Sequence, residues 1–64
     1  MELTAREKQV ARILLTGKPL ADCAAELGIT TGTMKQYSHR VYQAEGVRGR
    51  VELMARHYQE KSAS

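Results

Sequence analysis

The sequence predicts an all-α fold, a four-helix bundle, and three observations carry that prediction. Apolar residues recur at helical spacing in four stretches: Val10 with Ile13 and Leu14; Leu20 with Cys23, Ala24 and Leu27; Met34 with Tyr37 and Val41; and Val51 with Met54, Ala55 and Tyr58. Gly17 and Gly28 stand where the first two stretches stop, where glycine most readily takes the left-handed or positive-φ conformation of a helix end or turn, and Gly46-Val47-Arg48-Gly49 breaks the chain after the third. The second and third stretches meet at Leu27-Gly28-Ile29-Thr30, a tight hinge that makes the central pair a helix-turn-helix.

Each element has its own justification. Thr4 followed by Glu7 forms a capping box, because the Thr hydroxyl accepts from the Glu amide while the Glu carboxylate reaches back to the Thr amide. The first helix therefore starts there, carries Val10, Ile13 and Leu14 inward, and ends at Gly17. Pro19 has the fixed φ that suits a first helical turn and opens the second helix. Gly28 supplies the positive φ of the hinge, Ile29 plugs the gap between helices, and Thr30 is the N-cap of a third helix running from about Thr31 to about Ala44. Gly46-Val47-Arg48-Gly49 breaks the chain again before a fourth helix at about residues 50–61. Its Val51, Met54, Ala55 and Tyr58 stripe is expected to pack on the first helix, while Leu53, on the opposite side, would meet a partner. Which stripe faces outward stays open, so the dimerisation candidates are Val51, Leu53, Met54 and Tyr58. Residues 61–64 are expected to form a frayed tail.

Size and composition bound the function. The 64 residues, beginning at Met1, are expected to form one small domain over 1–64, and a chain of that length buries a modest share of its surface. Cys23 is the only cysteine, so no intramolecular disulfide forms, and there is no Cys/His cluster at metal spacing. Oligomerisation is then the expected supplement to stability. Cys23 itself fits a small buried hydrophobe. No apolar run is long enough for a signal peptide or a membrane span, which predicts a soluble, cytoplasmic chain that does not engage a membrane. There is no nucleophile-base set, no phosphate-cradling glycine loop and no paired carboxylates; His39 and His57 lie on different helices without an evident acidic orienter. The chain is accordingly expected to be no enzyme, with no catalytic residues, no metal and no cofactor.

Charge placement says more than the net +3. Residues 30–44 contain Lys35 and Arg40 and no Asp or Glu, so the positive charge without acid sits on the second helix of the motif. On a helical wheel, Met34, Tyr37, Ser38 and Val41 cluster inward while Gly32, Lys35, Gln36, His39 and Gln43 point away. Lys35 can donate to guanine or phosphate, Gln36 can pair bidentately with adenine, and His39 donates or accepts according to its tautomer. Gly32 lets the start of the helix approach a duplex closely. Thr33, the Tyr37 hydroxyl and Arg40 lie toward the edge, where phosphate oxygens fix register. Thr30 and Thr31, at the helix start, complete this candidate DNA-binding set, and double-stranded DNA is the expected partner.

These residues also resemble a known family. Leu3-Thr4-Ala5-Arg6-Glu7, Val10, Gly17, Ala24, Leu27-Gly28-Ile29-Thr30, Thr33-Met34-Lys35, Val41, Gly46-Val47 and Arg50-Val51-Glu52-Leu53 resemble the LuxR/GerE-type DNA-binding domain, without a gap from Leu3 to about Tyr58. The resemblance implies a LuxR/GerE-like bundle in which the third helix reads the major groove and the fourth pairs two copies. It implies Lys35, Gln36 and His39 at bases or adjacent phosphates, and Thr33 and Tyr37 at the backbone. The chain departs from the family pattern with Pro19 for a Ser, Thr or Asn cap, Cys23 for Ile, Met34 for Val, Tyr37 for His and Gly49 for Ser. The largest departure is Ala44-Glu45, where the family usually has Lys-Leu; an unpaired carboxylate cannot take a core leucine's place, so the third helix is expected to end earlier or tilt.

The function expected from this resemblance is a transcriptional regulator binding a two-fold symmetric site as a homodimer, associated with the bacterial nucleoid. The alternative is a small interaction protein that pairs with a larger LuxR-type regulator and modulates its DNA binding, which Glu45 favours. RNA polymerase is a further candidate partner. Kinship with the promoter-binding end of a sigma factor fits less well, because the short spacing from Gly17 to Ala24 matches the LuxR type. Taken as complete, the chain has no receiver or ligand-binding domain, and its activity would follow its concentration or a partner.

Overall fold

The computed structural model describes the backbone of residues 3–63 and the side chains of residues 3–58. Among the described residues are four α-helices and no strand: α1 (Ala5–Leu14), α2 (Leu20–Leu27), α3 (Thr31–Glu45) and α4 (Arg50–Ala63). The all-α, four-helix architecture matches the fold read from the sequence.

Local hydrogen bonds set the helix ends. The Thr4 hydroxyl accepts from the Glu7 N–H at 3.2 Å and Glu7 Oε1 accepts from the Thr4 N–H at 2.8 Å, the reciprocal pair that opens α1. α1 stops at Leu14, before Gly17; Gly17, at φ 80°, instead carries the turn into α2. Pro19 occupies the cap position of α2, just ahead of the first turn, and its carbonyl accepts from the Asp22 and Cys23 N–H groups at 3.0 Å each. α2 and α3 end in the same way. Gly28 and Gly46 sit at φ 70° and 71°, the Ile29 N–H donates back to the Ala24 carbonyl at 3.0 Å, and the Val47 N–H to the Tyr42 carbonyl at 2.9 Å. Each is a Schellman closure, with an apolar residue after the glycine folding back onto the last turn.

The core consists of Val10 and Leu14 from α1, Cys23 and Ala24 from α2, Met34 and Val41 from α3, and Leu53 from α4. α3 is the central element, packed on α1, α2 and α4. Ser38 also lies on its inward face, where its hydroxyl donates to the Met34 carbonyl one turn back at 2.8 Å. A buried polar group is thereby satisfied without a partner from another helix.

Two expectations are corrected here. The first concerns α4: Leu53, expected outward, turns inward beside Met54, and Val51, Ala55 and Tyr58, expected inward, face out. Leu53 is fully buried, while Val51 is 83% and Tyr58 60% exposed, and Ala55 is exposed as well. Met54 is half-buried near the α1–α2 turn, where a Cβ on Gly17 would lie 3.8 Å from Met54 Cε. The reason lies in the polar neighbours of Leu53 at helical spacing. Arg50 Nε donates to the Leu14 carbonyl at 2.9 Å, and His57 Nε2 lies 3.5 Å from Glu45 Oε2. The inward face of α4 is thus Arg50, Leu53, Met54 and His57, two of them polar side chains with partners on α1 and α3.

The second correction concerns Glu45. α3 does not end early: it runs through Glu45, whose carboxylate turns to His57 while its backbone carbonyl accepts from Arg56. The carboxylate stands at the α3–α4 joint as a partnered group, so it bears no unpaired burial cost. His57 therefore does have an acidic neighbour. The tail expected from Lys61 is helical as far as Ala63, and Ser64 lies outside the described residues.

Candidate nucleic-acid interface

The α2–α3 hinge presents the outward side of α3. Thr30 caps the helix, its hydroxyl accepting from the Thr33 N–H at 3.2 Å and donating to Thr33 Oγ1 at 3.0 Å. Both hydroxyls are therefore held at the helix start. Thr31, Gly32, Lys35, Gln36, His39 and Gln43 are all exposed, in a strip running the length of the helix, while Thr33 and Tyr37 are half-buried beside it. A Cβ at Gly32 would meet nothing nearer than Thr30 Oγ1 at 4.0 Å. The fold itself therefore does not demand glycine at this helical position, where glycine costs roughly 1 kcal/mol relative to alanine. The missing side chain leaves the start of α3 open to a close approach from outside.

The electrostatics of this strip follow from where the acids go. Glu26 pairs with Lys18 at 3.0 Å, Glu45 faces His57, and Glu52 accepts from the Arg48 N–H at 3.3 Å. Glu7 is buried and its Oε2 lies 3.7 Å from Arg40 Nη1. None of these carboxylates is engaged with Lys35, which is exposed, and the first turn of α3 holds no acid. Arg40 differs from the rest of the candidate set. Its side chain is 71% exposed, yet one end of it is tied to α1 through Glu7. It links α3 to α1 while its exposed guanidinium keeps donors free to meet an anionic group.

Glu7, which the sequence showed only as a cap, also meets Arg40 of α3. The Thr4 backbone N–H holds its carboxyl below the usual carboxylate range; burial pushes the other way, and the Thr4 side chain and Arg40 add to the lowering. Because folding depresses this value, the stabilisation is present above the unfolded glutamate value of about 4.3 and is lost as pH falls through the lower folded value. Glu7→Gln should therefore melt below the parent near neutral pH, with the gap closing below about pH 4. Melting curves from circular dichroism across the acid range check this, and a gap that is independent of pH would refute it.

Tyr42 was not among the candidates, yet its ring meets that of His39 edge-on, with centroids 6.3 Å apart and planes at 62°. The signal was the i, i+3 spacing of two aromatic rings on one helix. Among the described residues no group of three His, Cys, Asp or Glu side chains is placed to hold a metal ion, and no helix is long and apolar enough to cross a membrane.

No curated protein and no solved structure matches the chain. The GerE family model, described as bacterial regulatory proteins of the luxR family, matches residues 1–56 and so spans α1, the hinge, α3 and half of α4. With the capped α1, the glycine hinge and the exposed strip of α3 all inside that match, the chain belongs to the luxR family of bacterial regulatory proteins.

Proposed function

We propose that this chain is a sequence-specific, double-stranded-DNA-binding transcription regulator that acts as a homodimer on a two-fold symmetric site in the bacterial cytoplasm, with residues 1–64 as one domain. The observation that carries the reading is the exposed strip of α3, Gly32, Lys35, Gln36, His39 and Gln43, which contains no acid, while Glu7, Glu26 and Glu45 are paired with Arg40, Lys18 and His57. Amide and imidazole groups serve base edges, and Lys35, Arg40 and the hydroxyls of Thr30, Thr31, Thr33 and Tyr37 serve phosphates.

The dimer surface in this proposal is the outward stripe of α4. Val51, Ala55 and Tyr58 lie at i, i+4 and i+7 and are all exposed. Leu53 leaves the set because it is core. A two-fold contact along this stripe would place the two α3 helices about one DNA turn apart, roughly 34 Å. A larger LuxR-type regulator or RNA polymerase would be an alternative partner for the same stripe. Glu45, which favoured the interaction-protein reading, is occupied by His57 and no longer argues for it.

Fluorescence anisotropy against a selected operator and a random duplex tests the proposal. Gln36→Ala and His39→Ala should each cost about 1–3 kcal/mol on the operator and leave random binding nearly intact. Lys35→Ala should weaken both equally if the ammonium grips phosphate, whereas a loss confined to the operator would assign it to base readout. A folded domain that binds no duplex at low salt would overturn the regulator reading in favour of an interaction protein.

A further inference from the structure

We propose that Tyr42 is a positioning residue for base recognition, holding the His39 imidazole in one orientation on the groove face so that His39 discriminates at a single base pair. The inference rests on the DNA-binding reading above and deepens it. Three features of the fold support it.

First, Tyr42 is anchored. Its ring is half-buried and packed against the core, and its backbone carbonyl takes the Val47 N–H at 2.9 Å in the closure of α3. Second, His39 is exposed, one turn beyond Lys35 and Gln36, and the contact that meets its ring edge is Tyr42 on the same helix. Third, the two rings meet at 6.3 Å and 62°, within the range of an edge-to-face aromatic pair. Tyr42 thus passes the rigidity of the core to a side chain that would otherwise sample several rotamers. An imidazole must present a particular nitrogen, as donor or acceptor, to a particular base atom, and an unrestrained ring loses that freedom only when it binds. Holding the ring beforehand removes this cost from the specific complex and leaves non-specific binding, which is made through phosphates, unchanged.

The test uses the whole chain with Tyr42→Phe, which keeps the ring, and Tyr42→Leu, which removes it. In the free protein, the His39 ring resonances, assigned with His39→Gln, should move in Tyr42→Leu and hold in Tyr42→Phe. Anisotropy against the operator and its single-base-pair variants gives the second readout. Tyr42→Leu should lose roughly three- to tenfold in discrimination at the base pair where His39→Ala also loses it, with random-duplex affinity unchanged. Tyr42→Phe should restore the parent pattern, and in a His39→Ala background Tyr42→Leu should add no further loss. Should Tyr42→Leu fail to fold by circular dichroism, Tyr42→Met removes the ring with a more adaptable side chain. The proposal is overturned by unmoved His39 resonances, by a loss spread over every base pair, or by a loss that persists without His39. Absence of binding to any duplex would overturn the DNA-binding reading and this inference together; operator binding without coupling between the two residues would overturn this inference alone.

Discussion

Leu53→Glu is expected to unfold the domain, whereas Val51→Glu, two residues earlier on the same helix, is expected to leave it folded. Leu53 is fully buried among side chains from the other helices, and truncating a buried leucine to alanine alone costs about 2–5 kcal/mol. A domain of this size holds only about 3–5 kcal/mol in total, so Leu53→Ala should already leave a large unfolded fraction. A carboxylate at that position adds the burial of an unpaired charge. Val51, 83% exposed, should change folding stability by no more than about 0.5 kcal/mol when replaced by glutamate. What Val51→Glu should change is self-association, because two like charges would face each other across a two-fold contact. Urea unfolding followed by circular dichroism measures the first effect and sedimentation the second. Parent-like stability in Leu53→Ala would contradict the placement of α4, and unaltered self-association in a folded Val51→Glu would remove the outward stripe as the dimer surface.

Operator affinity should fall about a thousandfold between 50 and 200 mM monovalent salt. Each phosphate neutralised by lysine or arginine releases condensed counterions, and a dimer touching about six phosphates gives a log–log slope near −5. Lys35 and Arg40, four cations on the two α3 helices of a dimer, supply the larger part of this term, and their effects should differ. Lys35→Ala should flatten the slope directly. Arg40→Ala should flatten it and also lower the melting temperature, because its guanidinium is one of the partners of the buried Glu7. A salt slope near zero would show that the exposed strip of α3 does not engage the phosphate backbone.

The parts of the molecule legible in the sequence are those decided within a few residues. The Thr4–Glu7 capping box, the Thr30 cap and the glycine turn at 28 depend on groups no more than five residues apart, and the inward stripe of α3, Met34 to Val41, on two turns of one helix. The exposed strip of α3 was legible for the same reason, since its outward residues follow once Met34 and Val41 are known to point in. The second partner of Glu7 was less visible: its Thr4 bonds are local, but Arg40 reaches it from another helix.

Helix starts, the hinge and the exposed basic face of α3 were thus determined by the sequence alone, because capping, φ preference and helical periodicity act over a turn or two of chain, whereas α1 stops short of Gly17 and α3 runs on through Glu45. The orientation of α4 was decided only by the tertiary structure. Its apolar count favours the Val51, Ala55 and Tyr58 side, yet the helix turns Leu53 inward, because the polar residues flanking it find partners that no local pattern reveals. Arg50 reaches the carbonyl of Leu14, 36 residues earlier, and His57 reaches Glu45 across the α3–α4 joint. Once those polar groups are satisfied, Leu53 fills the core, and the more apolar stripe is left on the surface.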